Sequence, residues 1–277
     1  MEDILHAELG SNAKRTGRLF IAKPQVSYWA QNIWYDAQEF EFKSISEAAK
    51  HLRGIQRNWW LHANVKHRRA QLIQDALPPI KAKPIEFLSE LPKLPLGSWT
   101  LLDENSMLYA SKCSSLFPEG EVVFRENKTG PPSRAYLKLW ELFTLERSWP
   151  KAGEQVIDMG SSPGGWTWVL DELGASVLSV DKAPLTIKTS ERVEFISESA
   201  FALAPRKVDW FFSDIICYPE RLLELVMRWL DYSRRFVCTI KFQGPTNNAI
   251  VSEFLKVPGS KVIHLSANKH ELTWYKL

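Results

Sequence analysis

Val156-Ile157-Asp158-Met159-Gly160-Ser161-Ser162-Pro163-Gly164-Gly165-Trp166 runs from an apolar stretch through a glycine-rich turn into an amphipathic pattern. Val156 to Met159 reads as a short buried strand. Trp166, Val169, Leu170 and Leu173 then share one stripe at helical spacing, and Gly174 stands where such a helix stops. The glycines let backbone approach a ligand closely, and the first turn of the helix offers free N–H groups. The spacing is not G-x-G-x-x-G, which disfavours a pyrophosphate dinucleotide. Nor is it G-x-x-x-x-G-K-S/T, which excludes a P-loop.

The pattern repeats on both sides of this turn. Tyr136, Leu139, Trp140 and Phe143 follow i, i+3, i+4, i+7 and predict a helix from about Ser133 to Leu145. Strands are predicted at Ser176–Asp181, Val193–Ile196, Val208–Ser213 and Phe236–Lys241, with a helix on the stripe of Leu222, Leu225, Val226, Trp229 and Leu230. Lys261–Leu265 and Glu271–Tyr275 read as a terminal strand pair. Such alternation predicts a doubly wound, mostly parallel sheet whose ligands bind at the carboxyl ends of its strands. Asp181 stands there, 23 residues after Asp158, about where an acid meets a ribose hydroxyl pair. A glycine turn and a ribose acid without pyrophosphate machinery predict a nucleoside cofactor lacking phosphates; S-adenosylmethionine fits that description.

Gly130-Pro131-Pro132-Ser133 is a strong breaker, and the expected division is 1–128 and 129–277. The first part reads as a smaller α/β (α+β) module. It has strand-like runs at Arg18–Ala22, Asn58–His62 and Glu121–Arg125, a helix opened by the capping box Ser44-Ile45-Ser46-Glu47, and another from about Val65 to Leu77. Pro78 to Pro95 reads as a partly extended connector.

Composition narrows the classes. With 277 residues, 45% hydrophobic and 24% charged, the chain has the balance of a globular protein rather than a disordered one. No apolar run is long enough for a membrane span, and the first 20 residues carry no apolar core of a secretory signal. Cys113, Cys217 and Cys238 form no C-x-x-C pair, so a disulfide scaffold or zinc ribbon is not expected, and a reducing cytoplasm is the expected compartment. Net charge is only +3, but residues 43–69 hold seven bases and one acid, +6 within that window. Trp59, Trp60, His51, His62 and His67 lie among these bases. Bases interleaved with aromatics suit a nucleic-acid surface, and a solvated helix face with the tryptophans in the core explains the same residues equally well.

Four polar residues are out of character with their surroundings. Lys138 lies in a helix off its apolar stripe, Asp214 ends Trp210-Phe211-Phe212-Ser213, Lys241 ends an apolar strand, and Glu271 opens the last strand. Each alone reads as an ion pair or a solvated side chain. Together they can form a network at one strand edge.

These residues also carry a resemblance. Pro131-Pro132-Ser133-Arg134 with Leu137-Lys138-Leu139, then Asp158 to Thr167, Asp214 followed by Pro219, the Ile240-Lys241 strand end and Glu271 resemble the FtsJ-like RNA ribose 2′-O-methyltransferases, most closely the RlmM type that modifies large-subunit ribosomal RNA. The resemblance spans about residues 131–277. It implies a Rossmann-like S-adenosylmethionine-dependent methyltransferase domain, with Lys138, Asp214, Lys241 and Glu271 as the catalytic tetrad. It also implies a cofactor site built from Asp158, Gly160, Ser161, Ser162, Pro163, Gly164, Gly165, Trp166, Asp181, Ser199 and Asp214. Where that family has an acid against adenine, this sequence has Ser199 beside Glu198; the longer N-terminal region of the RlmM type has no matching motif in 1–128.

A ribose hydroxyl is a poor nucleophile and needs a base beside it as it attacks a sulfonium methyl in line. Lys241 is the expected base, oriented by Asp214 and supported by Lys138 and Glu271. No metal-ligand spacing is present, and none is required. RNA is the expected partner, bound by the N-terminal module, with a monomer favoured. Two alternatives stay open: a methyltransferase acting on a nucleobase, and a non-catalytic RNA-binding protein that retains the fold. No cysteine here follows a proline, and the loop after Ser213 is not N/D-P-P-Y/F.

Overall fold

The structure is a computed structural model and describes residues 2–277. The chain forms two compact units, Glu2–Phe124 and Arg125–Leu277. The division thus falls a few residues before the Gly130-Pro131-Pro132 breaker. Phe124 stays with the first unit because it bridges to Ile85.

The first unit contains α1 (Glu2–Leu9), β1 (Lys14–Thr16), β2 (Leu19–Ile21), β3 (Trp34–Tyr35), β4 (Gln38–Glu41), α2 (Ile45–Ile55), β5 (Trp59–Leu61), α3 (His67–Asp75), β6 (Gly97–Leu101), β7 (Ser106–Ala110) and β8 (Lys112–Cys113). A four-stranded sheet, ordered β4-β7-β6-β5, pairs β5 with β6 in parallel and its other neighbours antiparallel. Two helices pack on it through Ala48, Ala49, Leu52, Ala70 and Ile73, which share one core with Trp59, Trp99, Leu101, Met107 and Tyr109. Ser44 caps α2 by accepting the Glu47 N–H at 3.2 Å, and Glu47 reaches back to the Lys43 N–H at 2.8 Å.

In this unit one open reading is decided, at Trp59, and one expected strand needs correction. Trp59 is fully buried and donates its indole N–H to the Leu52 carbonyl at 2.8 Å, so it is core and has no face for a base. Glu121–Arg125 is not a strand; it contributes only the Ile85–Phe124 bridge. Val122 and Phe124 are buried and Val123 is 56% exposed, an alternation that mimics a strand in a segment leaving a tight turn at Glu119 and Gly120.

The second unit contains α4 (Tyr136–Glu146), β9 (Gln155–Met159), α5 (Gly165–Glu172), β10 (Ser176–Asp181), β11 (Val193–Ser197), β12 (Val208–Ser213), α6 (Pro219–Trp229), β13 (Ser233–Lys241), α7 (Asn248–Leu255), β14 (Ser260–Ile263) and β15 (Glu271–Lys276). Its seven strands are ordered β11-β10-β9-β12-β13-β15-β14. The first five run parallel, and β15 lies antiparallel to both its neighbours. This is a Rossmann-like sheet. The chain leaves β9 for β10 on one side and returns to β12 on the other, so the connections diverge above β9 and leave a crevice. Val156, Ile157, Val177, Val180, Phe211, Phe212, Val237 and Ile240 are all buried, as strands covered on both faces require. The sequence reading contains no counterpart of α7, a helix of 8 residues capped by the Asn247 side chain.

Candidate active site

The glycine turn sits directly over the end of β9. Gly160 has φ +76°, and a Cβ there would come within 2.9 Å of the Ile215 Cα. Gly164, at φ +116°, precedes α5 and would meet Ile187 at 2.8 Å. Both positions combine a left-handed backbone with a close neighbour, which only glycine meets without strain. Asp181 ties the turn down. One of its oxygens accepts the Ser162 N–H and the other the Ala183 N–H, both at 3.0 Å. Ser162 Oγ donates to the Pro184 carbonyl at 3.0 Å, and the Pro163 carbonyl accepts the Thr186 N–H at 3.0 Å and the Thr186 hydroxyl at 3.1 Å.

Asp158 lies beneath the turn with no solvent exposure. Its Oδ2 takes the Thr167 hydroxyl at 2.6 Å, while Oδ1 has no hydrogen-bond partner; buried Ser161 Oγ has none either. Burial pushes the Asp158 carboxyl up to about 7, and the neighbouring charges of Asp214 and Asp181 act in the same direction.

An open cavity of about 580 Å³ lies against these groups. Asp158, Gly160, Ser161, Ser162, Pro163, Gly165 and Trp166 form one wall. Gly164 is not a wall residue and packs against Ile187 instead. Asp181, Glu198, Ser199, Asp214 and Lys241 line it as well. Ile215, Ile216, Phe201 and Arg221 also line it, and the sequence reading did not single them out. Their only signal was position, just beyond Asp214 and Ser199.

The four out-of-character residues meet at one edge. Lys138 lies in the first turn of α4, Asp214 just past β12, Lys241 at the end of β13 and Glu271 at the start of β15. Lys241 and Glu271 are direct register partners across the antiparallel pair. Lys138 Nζ is 2.6 Å from Glu271 Oε1 and 3.1 Å from Asp214 Oδ1. Lys241 Nζ is 3.0 Å from the same Asp214 oxygen and donates to the Asp214 backbone carbonyl at 2.5 Å. The Asp214 N–H in turn bonds to Met159 at 3.3 Å, which fixes the loop to the end of β9. Side-chain exposure runs from 7% at Lys138 to 17% at Asp214. Two lysines and two carboxylates thus share one largely buried cluster, and of the four only Asp214 and Lys241 face the cavity.

Donor chemistry and shape both accommodate S-adenosylmethionine. The unpartnered Asp158 oxygen offers an acceptor to a cationic group, Asp181 retains lone pairs for ribose hydroxyls, and the glycines keep the wall free of side chains. The cavity volume is ordinary for a ligand of that size. Among the described residues, no group of three or more His, Cys, Asp or Glu is placed to hold a metal ion. No helix among them is long and apolar enough to cross a membrane.

Residues 131–264 match the family model for FtsJ-like methyltransferases. Ribosomal RNA large subunit methyltransferase M of Halorhodospira halophila is 36% identical over 118 residues, 40% of this chain and 35% of the relative. The protein of the same name from Hahella chejuensis is 34% identical over 152 residues, 52% of this chain and 39% of the relative. The chain therefore spans well under half the length of these curated relatives. Among solved structures, the magnesium protoporphyrin IX methyltransferase of Synechocystis PCC 6803 with bound S-adenosylmethionine aligns over 46% of this chain and 71% of its own. The identity is 15% and the TM-score 0.35.

Proposed function

We propose, on the premise that residues 131–264 belong to the FtsJ-like methyltransferases, that this chain methylates a ribose 2′-hydroxyl of RNA, with large-subunit ribosomal RNA as the substrate class. One observation carries the reading. A cluster of two lysines and two carboxylates turns a single lysine, Lys241, toward the cavity that the glycine turn bounds.

When bound, S-adenosylmethionine supplies a methyl group on a positively charged sulfur. Asp158 and the turn backbone hold its cationic end, and Asp181 receives the ribose hydroxyls. Glu198 and Ser199 face the space left for the base.

Lys241 accepts the proton of the attacking hydroxyl. A neutral amine has two N–H donors and one lone pair. Asp214 engages Lys241 through Oδ1 and through its backbone carbonyl, which uses both donors and leaves the lone pair for substrate. Lys138, held between Asp214 and Glu271, keeps the Asp214 carboxylate from swinging away. The cluster is complete, which favours an enzyme over an RNA-binding protein that merely retains the fold.

The first unit, in this reading, holds RNA. Lys43, Lys50, Arg57 and Arg68 are exposed on and beside α2 and α3, a surface suited to phosphates. Arg53 and Arg69 have other partners: Arg53 donates to the Ala76 carbonyl at 3.3 Å, and Arg69 donates to Asn105 at 3.3 Å and lies over the Phe42 ring. The compartment implied by a ribosomal RNA substrate is the cytoplasm.

The test is mass-spectrometric mapping of 2′-O-methyl nucleotides in large-subunit RNA from cells with and without the gene. One site should lose its ribose methyl in the deletion and regain it when purified protein and S-adenosylmethionine are added. A missing methyl on a base instead of a ribose would contradict the assignment.

A further inference from the structure

The loop after Asp214 leaves two large apolar side chains in solvent. Ile216 is 76% exposed and Tyr218 67%, although the residues on either side are held. Phe211, Phe212 and Ser213 are buried in the sheet, and Pro219 is buried at the start of α6. A single exposed apolar residue is ordinary, but these stand two positions apart beside a cavity. Ile216 is itself a wall of that cavity, as are Asp214, Lys241 and Arg221. The Arg221 guanidinium lies 3.9 Å above the Phe201 ring, which props the cation at the rim. Cys217 lies within electrostatic reach of both cations: burial raises its thiol pKa, and the charges of Arg221 and Lys241 act against that rise. Asp214, which binds Lys241, opens this loop, and Arg221 stands in the first turn of α6, three residues after Tyr218.

We propose that the lip from Ile216 to Arg221 receives the target nucleotide, with Tyr218 stacking on its nucleobase and Arg221 engaging the adjoining phosphate. The inference rests on the reading of Lys241 as the group that meets the ribose. A nucleotide presenting its 2′-hydroxyl to Lys241 must leave the stack of its own strand, and its base then needs a new π face. Ile216 and Tyr218 are the exposed apolar groups of the loop that holds Lys241, and a phenol ring accepts any base. Arg221 adds a planar, permanently charged donor suited to a phosphate. The chemistry thus selects a single-stranded or extruded nucleotide of RNA.

The test is equilibrium binding of fluorescein-labelled oligoadenylate to the full chain saturated with S-adenosylhomocysteine, with inorganic polyphosphate as competitor. Tyr218→Ala should weaken oligoadenylate binding roughly tenfold, the scale of one lost base stack. Its affinity for polyphosphate and for S-adenosylhomocysteine should stay as in the wild type. Tyr218→Phe should restore most of the loss, because the ring face remains. Arg221→Ala should weaken both polyanions. Unchanged oligoadenylate affinity in Tyr218→Ala would overturn the stacking role, as would a Tyr218→Phe variant as weak as the alanine one. Polyphosphate affinity unchanged in Arg221→Ala would overturn the phosphate role. These readouts involve no turnover, so a wrong assignment of the reaction would appear separately, as wild-type protein that transfers no methyl to ribose.

Discussion

Asp158 has one partnered oxygen, one unpartnered oxygen and no contact with solvent, and two further carboxylates raise its proton affinity. Its carboxyl is held near 7, against about 3.9 in an unfolded chain. The folded protein thus keeps a proton that the unfolded chain has released. The resulting stabilisation is full below the unfolded value and is lost as pH rises through about 7. Asp158→Asn keeps the shape and stays neutral. The melting temperature of the wild type relative to this variant should therefore fall from pH 5 to about pH 7 and level off above it; a constant difference would contradict the assignment. Asp181 acts otherwise, since both of its oxygens already fasten the turn. Asp181→Ala should weaken S-adenosylhomocysteine binding by about 1.5–3 kcal/mol, read by calorimetry. Neither carboxylate could be ranked from the sequence. Their positions were legible as strand ends, but the proximity of Asp214 to Asp158 depends on β12 lying beside β9.

At the scale of elements, the parallel sheet was readable because strands covered on both faces are short, mostly apolar runs: Val208–Ser213 and Ser176–Asp181 have the expected bounds. Helix α4 was harder. Its stripe of Tyr136, Leu139, Trp140 and Phe143 marks one face, yet every residue from Tyr136 to Thr144 is buried. Periodicity cannot reveal that a helix is covered all round, so Lys138 alone reads equally as an ion pair or a solvated side chain. The β6–β7 hairpin was missed too. Its signal is Asp103, whose carboxylate accepts the Asn105 and Ser106 N–H groups and closes the turn. Lys138 ties α4 to β12 and β15 through ions only 7% and 12% exposed at Lys138 and Glu271. Lys138→Met would leave the Glu271 carboxylate without its cation and Asp214 with Lys241 alone, at a cost of about 3–5 kcal/mol. Adding Glu271→Gln should return part of that stability. Urea unfolding of both variants is the check, and a double variant no more stable than the single one would contradict the account.

At the scale of the whole chain, two units with separate sequence signatures contribute to one proposed reaction, and the first was much the less legible. Its basic window was visible, but which bases face solvent was not. Trp59 went to the core, and Arg53 and Arg69 to contacts within the unit. Replacing Lys43, Lys50, Arg57 and Arg68 with alanine should weaken RNA binding most at low salt, each lost phosphate contact flattening the log–log slope by roughly 0.7–0.9. S-adenosylhomocysteine affinity should not change, and an unaltered slope would place the RNA grip elsewhere. The central claim concerns Lys241 itself. Single-turnover methyl transfer to unmethylated large-subunit RNA, with saturating S-adenosylmethionine, should be compared for wild type and Lys241→Arg. Arginine keeps the charge but does not give up its proton at working pH. The account predicts a rate at least about 10²-fold lower, the lower bound for a lost general base, with S-adenosylhomocysteine binding preserved. A Lys241→Arg enzyme that turns over at the wild-type rate would contradict it.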